Sequence, residues 1–364
     1  MDLEVDRTDL HRCRVVDTDP PALETGQCRL RIDTFALTAN NITYGVVGDA
    51  FRYWDFFPAT EPGWGRIPVW GFADVVATTD DRLAEGIRVR GFLPMSTHLV
   101  VNPGRLDHLG FTDESPHRAP MAGAYNRYLR VDTDPAYDPR REAQHMLLWP
   151  LFFTAFLIDD FLDDHDRYGA STVVVSSASA KTAIGTAYLL ARRGEVEVVG
   201  ITSPGNVAFV EALGVYDRVV AYDEVASVPD GGDAVYVDIA GDSAVRAAVH
   251  QAYRERLAHS MAVGATHWEG ATLAPGGTDL PGPPPAFFFA PDQIAKRTRD
   301  WGPMGLDERA GPAWRDFVAF TDGWLELQTG RGPDAVERAY RQLLEGRAEP
   351  RVGHILSMWP EGTA

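Results

Sequence analysis

The chain has 364 residues, of which 45% are hydrophobic and 24% are charged, and its formal net charge is −18. This length and composition are typical of a globular protein with two domains. So acidic a chain disfavours nonspecific binding to nucleic acid or to anionic membranes, and it leaves a small molecule as the expected partner.

Targeting signals and cysteines narrow the expected compartment. The N-terminal segment lacks the apolar core of a signal peptide, and we expect no apolar run long enough to span a bilayer. The two cysteines, Cys13 and Cys28, are too few for a disulfide scaffold or a cysteine-rich zinc site. These features favour a cytoplasmic protein with reduced thiols.

The first part of the chain predicts a barrel-like, antiparallel β domain. Residues 27–37 alternate apolar and polar side chains, as a half-buried strand does. Residues 38–68 are aromatic and rich in glycine and proline, which predicts a long functional loop. Turn residues separate the further predicted strands at 69–79, 86–101 and 125–131.

The pattern changes near residue 140. Residues 141–165 predict a helix that is kinked or broken at Pro150. From residue 172 apolar strands alternate with amphipathic helices, which predicts a doubly wound parallel sheet. Residues 287–302 predict a strand that runs into a helix, residues 313–347 two amphipathic helices, and residues 348–360 a last strand.

A turn of small residues, "SSASAKT", follows the first of these strands, where dinucleotide-binding folds carry glycines. A P-loop is disfavoured because Val175 and Ala180 occupy its two glycine positions. Two interpretations stay open: a structural turn without a ligand, and a loop that holds a diphosphate with hydroxyls, a helix N-terminus and one ammonium group. In the second, the cofactor-binding residues are Ser176, Ser177, Ser179, Lys181 and Thr182.

The next strand indicates which nucleotide would bind. Its end reads Thr202-Ser203-Pro204-Gly205-Asn206 and has no carboxylate to bind a free ribose 2′-hydroxyl. A 2′-phosphate would not be repelled there, so NADP(H) is preferred over NAD(H), with Ser203 and Asn206 as candidate ligands. Tyr222 follows the third strand, where it could lie against the adenosine.

The segments "VVVSSASAKTAIGTAYLLARR", "VVGITSPGNVAFVEALGVYDRVVAYDE" and "MAVGATHWEG" occur in the order found in the medium-chain dehydrogenase/reductase superfamily. The chain resembles its zinc-free, quinone-oxidoreductase-like branch and, more closely, the uncharacterised DUF2855 family. The resemblance implies an α/β protein: a GroES-like β-barrel domain at 1–145, completed by 290–364, and a Rossmann domain at 146–289. It also implies a cofactor in the cleft between them and a homodimer.

The resemblance further implies candidate site residues. Zinc-dependent relatives carry Gly-His-Glu where this chain has Val69-Trp70-Gly71-Phe72, so no metal is expected. The catalytic candidates are Asn41, Tyr44 and His267. The implied nicotinamide contacts are Asn40, Gly264, Ala265, Thr266 and Phe288. Tyr53, Trp54, Phe57, Trp268 and Lys296 are expected to line the substrate pocket, although the aromatic side chains could equally serve core or dimer packing.

The expected activity is zinc-independent, NADP(H)-dependent hydride transfer to or from a carbonyl or an activated alkene. One alternative is a lyase or hydrolase on the same scaffold, because the phosphate loop is altered and the chain has only two lysines, Lys181 and Lys296. A second alternative is a protein that binds NADPH as a sensor without turning it over.

Overall fold

The computed structural model describes residues 1–134, 137–228, 232–264, 280–302 and 304–362. The chain divides into two compact units. Unit 1 contains residues 1–147 and 325–364, and unit 2 contains residues 148–324. Residues 290–324, which were expected to complete the first domain, therefore belong to the second unit.

Unit 1 is built mainly from antiparallel strands. Its helices are α1 (Ala39–Val46) and α8 (Pro333–Leu344). Its strands are β1 (Asp2–Asp6), β2 (Asp9–Val16), β3 (Cys28–Leu37), β4 (Trp64–Gly65), β5 (Pro68–Thr78), β6 (Arg88–Pro94), β7 (His98–Val101), β8 (Pro103–Asp107), β9 (Gly110–Asp113), β10 (Arg127–Arg130), β17 (Glu326–Arg331) and β18 (Val352–Ser357).

Within the described residues, nine of these strands form one sheet in the order β17-β18-β3-β5-β6-β10-β9-β8, with β7 also paired to β3. A second sheet has the order β2-β1-β4. Among the strand pairs that the structure describes in unit 1, only β17–β18 is parallel. The alternation that predicted β3 is present, since Cys28, Leu30 and Ile32 are buried while the residues between them are half-buried. The strand β18 pairs with β3, so the end of the chain completes this unit.

Two elements of unit 1 differ from the sequence prediction. The segment predicted as a loop contains α1, an eight-residue helix that begins after Thr38. The segment predicted as part of a helix contains β17, whose side chains are almost all exposed. An exposed edge strand carries no apolar alternation, because it has no buried face.

Helix α2 (Glu142–Asp164) runs through Pro150 without a break and crosses from unit 1 into unit 2. Among the described residues, the stretch Pro139–Asp164 has the length and apolar composition to cross a membrane, and 67% of its most apolar window is buried inside the protein. The expectation that no apolar run reaches that length is therefore too strict for this helix. A core helix passes the same test, so the stretch is only weak evidence for a membrane span.

Unit 2 contains α3 (Lys181–Arg193), α4 (Val207–Ala212), α5 (Ser243–Tyr253), α6 (Ala290–Trp301) and α7 (Gly305–Thr321). Its strands are β11 (Thr172–Ser176), β12 (Glu197–Thr202), β13 (Arg218–Ala221), β14 (Ala234–Asp238), β15 (Leu257–Ala262) and β16 (Ala286–Phe287). The described strands form one parallel sheet in the order β13-β12-β11-β14-β15-β16. This is the strand order 3-2-1-4-5-6 of a Rossmann fold, as predicted.

The sequence signals for α3 agree with the structure. Gly194 takes the left-handed conformation just after the last turn, with φ of 67°. Gly185 lets α3 approach α2 closely, because a Cβ at that position would lie 3.0 Å from the Cβ of Ala155. The helix is therefore held against its neighbour with its N-terminus at the carboxyl end of β11.

Candidate functional site

The predicted cofactor residues of unit 2 that the structure describes lie where parallel strands end. Carboxyl ends of parallel strands share one edge of the sheet, where Rossmann folds bind nucleotides. This edge carries Ser176 as the last residue of β11, Ser177 after it, Ser203 and Asn206 after β12, Tyr222 after β13, Gly264 after β15 and Phe288 after β16.

Ser176 is not available to a ligand, which corrects the sequence prediction. It is fully buried. Its hydroxyl donates to Oδ1 of Asp238 at 2.9 Å and accepts from the backbone N–H groups of Ile239 and Ala240 at 3.0 and 3.1 Å. Asp238 also accepts from Nε of Arg246 at 2.8 Å. Ser176 therefore ties the end of β11 to the end of β14. Sequence reasoning identified neither Asp238 nor Arg246 as part of this network.

Ser177 occupies a backbone conformation that usually requires glycine. Its φ is +51°, in the left-handed region, and its backbone N–H donates to the hydroxyl of Tyr222 at 3.1 Å. Tyr222 also packs against the core of the sheet. Its hydroxyl thus stabilises the turn, a role that the sequence prediction of an adenosine contact did not include.

The loop stays close to the sheet because a glycine lies beneath it. A Cβ at Gly200, in β12, would lie 2.8 Å from the ring of Tyr216 and 2.9 Å from the Cβ of Ala178. The hydroxyl of Tyr216 donates to the carbonyl oxygen of Ala178 at 2.9 Å. The close approach that loop glycines usually allow is therefore provided here by a glycine in the neighbouring strand.

Four polar residues meet beside the loop; we call them the β12-end cluster. The side-chain amide of Asn206 donates to the hydroxyls of Ser179 at 3.2 Å and Ser203 at 3.0 Å. The hydroxyl of Thr202 lies 3.5 Å from that of Ser179. The structure thus brings together three residues that the sequence predicted as ligands, and adds Thr202.

Lys181 is the first residue of α3, and Thr182 is the second. No side chain caps this helix start. Burial lowers the pKa of the Lys181 amine to about 8. A helix N-terminus and a cation that has lost part of its hydration both favour a bound anion.

Gly264 and Phe288 extend the edge across β15 and β16. A Cβ at Gly264 would lie 2.9 Å from the carbonyl oxygen of Ile239, so the close approach requires glycine. The backbone N–H of Phe288 donates to the carbonyl oxygen of Ala262 at 2.9 Å, which leaves that N–H unavailable to a cofactor. The predicted residues Ala265, Thr266, His267 and Trp268 lie outside the described residues.

Lys296 is part of an ion-pair network within unit 2, and its role as a substrate-pocket residue stays a prediction. Its amine donates to Asp164 at 2.8 Å and to Asp300 at 3.2 Å. The neighbouring Arg297 is buried and donates to Asp160 at 2.7 Å. The pairs join α6 to α2, which explains why residues 290–324 belong to unit 2.

Unit 1 contains an aromatic cluster around the candidate Tyr44. Tyr44 stacks on Tyr53 with ring centroids 4.4 Å apart, and its edge meets Phe92 at 5.5 Å. Tyr53 and Tyr125 approach through their hydroxyls at 3.3 Å. The aromatic cluster consists of Tyr44, Tyr53, Phe56, Phe57, Trp70, Phe92 and Tyr125.

Burial in this cluster raises the pKa of Tyr44, so its phenol is neutral at physiological pH. The side chains of Trp70 and Asn40 oppose that rise as hydrogen-bond donors. The Trp70 interaction is weak, because its buried Nε1 has no partner of ordinary hydrogen-bond geometry among the described residues. Asn40 precedes Tyr44 by one helical turn of α1, as its predicted place near Tyr44 requires.

Asn41 is a structural residue, contrary to its prediction as catalytic. Its side-chain oxygen accepts from the backbone N–H of Thr38 at 2.8 Å and from the Thr38 hydroxyl at 3.0 Å. Its amide donates to the carbonyl oxygen of Pro68 at 2.9 Å. Since it is also buried, Asn41 caps α1 and ties it to β5.

Trp54 and Phe57 are buried and have different surroundings. Trp54 is packed between two glycines, since a Cβ at Gly48 or Gly65 would lie within 2.4 Å of its indole. It therefore anchors the loop, which favours the core-packing alternative that the sequence left open for this residue. Phe57 borders a cavity of about 530 Å³ in unit 1, whose wall also includes His98, Leu99 and His117.

Metal ligands show no clustering in the described part of the chain: no three His, Cys, Asp or Glu residues there are placed to hold an ion. Zinc independence itself stays a prediction. Most of the predicted site residues that the structure describes lie at the unit 2 sheet edge or in the aromatic cluster of unit 1, and their roles toward a ligand stay predictions.

Several solved structures share this fold. They include CurA from Vibrio vulnificus in complex with NADPH (14% identity, 98% of this chain and 97% of that chain, TM-score 0.64). They also include YhdH from E. coli K-12 with bound NADPH (16% identity, 98% of this chain and 100% of that chain, TM-score 0.58). A third is a putative NADPH:quinone reductase from Mesorhizobium loti (13% identity, 93% of this chain and 88% of that chain, TM-score 0.57). At 13–16% identity these structures show that the chain shares their fold, and they confirm the predicted fold class with a parallel and an antiparallel sheet.

No curated protein matches the chain at a significant level. The family model described as "Protein of unknown function (DUF2855)" matches residues 35–349, which span both units. This match covers the sheet edge of unit 2 and the aromatic cluster of unit 1. The chain therefore belongs to the DUF2855 family.

Proposed function

We propose that this protein is an NADP(H)-dependent oxidoreductase that transfers hydride, without a metal, between a nicotinamide and a carbonyl or an activated alkene. The observation that carries the proposal is the unit 2 sheet edge, where a 3-2-1-4-5-6 parallel sheet places the start of α3, Lys181 and the β12-end cluster. Similar structures were solved with NADPH bound, which supports the choice of cofactor.

The described residues fit a dinucleotide. Lys181 and the start of α3 would hold the diphosphate, in place of the glycines that other loops use. Ser203, Asn206 and Ser179 would hold the adenosine ribose side. Hydroxyls and an amide can donate to a 2′-phosphate, and no carboxylate in the stretch 202–206 would repel it. The preference for NADPH over NADH rests on this absence of negative charge.

Bound NADPH would supply the hydride, and Tyr44 stays the predicted polar group for the substrate. Tyr44 is a neutral phenol among aromatic rings. It would donate a hydrogen bond to the substrate's carbonyl oxygen and stabilise the negative charge that develops there. Because burial raises its pKa, Tyr44 holds its proton in the resting protein and acts mainly by orienting the carbonyl.

Titration with NADPH and NADH, followed by cofactor fluorescence, tests the proposal. We expect NADPH to bind more tightly than NADH, and Lys181→Ala to weaken NADPH binding about ten- to a hundredfold, as expected for the loss of a charged partner. Lys296→Ala is the matched control, because that lysine is paired within α6 and α2. A folded wild type that binds neither nucleotide would contradict the proposal.

NADPH oxidation with a panel of enones, aldehydes and quinones then separates enzyme from sensor. Turnover of any member supports the reductase. Tight NADPH binding without turnover across the panel would favour a binding protein that senses the cofactor. A cytoplasmic location and a small-molecule substrate stay predictions of the same proposal.

A second candidate function is favoured by the amine of Lys181. Burial lowers its pKa to about 8, so roughly a tenth of the amine is unprotonated at pH 7. Such an amine can form a Schiff base with a carbonyl substrate, as a lyase would use. Borohydride in the presence of an aldehyde should then trap a covalent adduct on Lys181. Substrate-dependent NADPH oxidation without an adduct would exclude this alternative.

We also propose a homodimer, by analogy with the superfamily. Strand β16 forms an edge of the described unit 2 sheet, and Phe287 within it is 44% exposed. Edge strands commonly pair with a second copy. Light scattering coupled to size exclusion should give twice the mass of 40.0 kDa, and Phe287→Lys should shift the protein toward the monomer.

A further inference from the structure

Arg118 is a buried cation at the base of the aromatic cluster of unit 1. Its side chain is 1% exposed. It donates to Asp113 at 3.2 Å and to the Tyr128 hydroxyl at 2.9 Å. It also donates to the Asn126 side chain at 3.0 Å and to the backbone carbonyl of Tyr125 at 2.6 Å. A buried guanidinium is costly to desolvate, and these four acceptors offset that cost.

These bonds fix the short segment that carries Tyr125. The side-chain amide of Asn126 donates to the carbonyl oxygen of Arg118 at 2.8 Å. Two hydrogen bonds therefore join Arg118 to Asn126 and close the segment between them. The guanidinium also lies 5.4 Å from the ring centre of Phe56 and 5.0 Å from that of Phe57. The guanidinium that holds the backbone of Tyr125 thus also lies beside Phe56, whose ring the Tyr125 side chain contacts.

The ring of Tyr125 inserts among the aromatic residues. Its centre lies 4.8 Å from Phe92, 5.5 Å from Phe56 and 6.0 Å from Tyr53. A phenylalanine could make the same ring contacts. The hydroxyl adds only the 3.3 Å contact with the hydroxyl of Tyr53, so that contact is what distinguishes tyrosine at this position.

Tyr53 transmits this contact to Tyr44. The two rings are stacked, with an interplanar angle of 29°. The ring of Tyr53 also lies 5.9 Å from that of Phe56 and 6.0 Å from that of Tyr125. These ring contacts and the hydroxyl contact with Tyr125 constrain the orientation of Tyr53.

We propose that Tyr125, held in place by Arg118, is a positioning residue that fixes the ring of Tyr53 and, through the stack, the hydroxyl of Tyr44. The inference rests on the proposed function, because it assigns Tyr44 the carbonyl of the substrate.

Kinetics with Tyr125→Phe test the proposal. We expect kcat for carbonyl-dependent NADPH oxidation to fall roughly fivefold, the effect of one hydrogen bond, while KM for NADPH changes less than about twofold. Because Tyr125 acts through Tyr53, the double variant with Tyr53→Phe should be no slower than Tyr53→Phe alone. Tyr340→Phe is the matched control, since its hydroxyl donates to the Leu10 carbonyl outside the cluster. Additive losses, or an unchanged kcat, would overturn the proposal.

A second measurement does not depend on activity. In protein labelled with 3-fluorotyrosine, Tyr125→Phe should shift or broaden the ¹⁹F resonances of Tyr53 and Tyr44, and Tyr340→Phe should leave both unchanged. If the wild type reduces no carbonyl but these resonances respond, the proposed function fails while the positioning role stands. If both resonances ignore the loss of the Tyr125 hydroxyl, the positioning role fails whatever the activity.

Discussion

The backbone N–H of Ser177 donates to the hydroxyl of Tyr222 at 3.1 Å. This bond holds a serine in the left-handed conformation that a dinucleotide-binding loop usually assigns to glycine. The side chain of Tyr222, which follows β13, thus stabilises the turn that follows β11. The loop keeps its conformation without glycine because neighbouring side chains, and not the loop residues alone, determine it.

Ser177→Gly should stabilise the protein. A left-handed conformation costs a residue with a Cβ about 1 kcal/mol relative to glycine, so we expect the free energy of unfolding to rise by roughly that amount. Urea denaturation measures it. Ser179→Gly is the control: Ser179 has no positive φ and its hydroxyl accepts from Asn206, so this change should not stabilise. A destabilised Ser177→Gly would show that the serine side chain matters more than the backbone strain.

Gly200→Ala should destabilise unit 2 and displace the phosphate loop. The added Cβ would lie 2.8 Å from Tyr216 and 2.9 Å from the Cβ of Ala178, and such overpacking costs about 1–3 kcal/mol. Gly205→Ala is the control, because nothing lies within 4 Å of its added Cβ. The thermal unfolding and the NADPH affinity should both change in Gly200→Ala, and neither should change in Gly205→Ala. Equal behaviour of the two alanine variants would refute the packing account.

The stability of the protein should rise with pH above about pH 8 because of Lys181. Its pKa is lowered from 10.5 to about 8 in the folded state, so the unfolded chain binds more protons between these values. Lys181→Met should remove the rise, whereas Lys296→Met should keep it, because ion pairing raises the pKa of Lys296. Chemical denaturation at pH 7, 8.5 and 10 measures the slope. A rise that survives Lys181→Met would assign it to another group.

Two adjacent basic residues of α6 should differ in their effect on stability. Arg297 is buried and paired with Asp160, so Arg297→Met leaves a buried carboxylate without its cation and should cost about 3–5 kcal/mol. Lys296 makes exposed pairs, and Lys296→Met should cost less than about 1 kcal/mol. Lys296→Met should also leave KM for the substrate unchanged. A raised KM for the substrate would support Lys296 as a residue of the substrate pocket.

The sheet edge of unit 2 could be predicted because its signals are local. An apolar strand, a small-residue turn and a helix closed by Gly194 are all encoded by consecutive residues, and the order of such units restricts the topology. The polar end of β12 could be predicted for the same reason. Ser176 could not be assigned correctly, because its partner Asp238 is 62 residues away along the chain.

The candidate site in unit 1 shows the same division. Sequence reasoning named Tyr44 and Tyr53, which lie on consecutive elements, but missed Tyr125, which reaches Tyr53 from 72 residues away. It assigned Asn41 to catalysis and left Trp54 open between the substrate pocket and core packing, because a polar or aromatic residue type does not identify its partners. The structure gives them the backbone of Pro68 and the faces of Gly48 and Gly65.

The amino-acid sequence alone therefore determined the two classes of domain, the doubly wound parallel sheet and the absence of a carboxylate after β12, because hydrophobic periodicity and turn chemistry act over a few residues. Only the tertiary structure decided which hydroxyls are consumed internally and which remain at the edge. A hydrogen bond or a close packing contact depends on distances between residues far apart in the chain, and those distances exist only once the sheet and its helices are assembled.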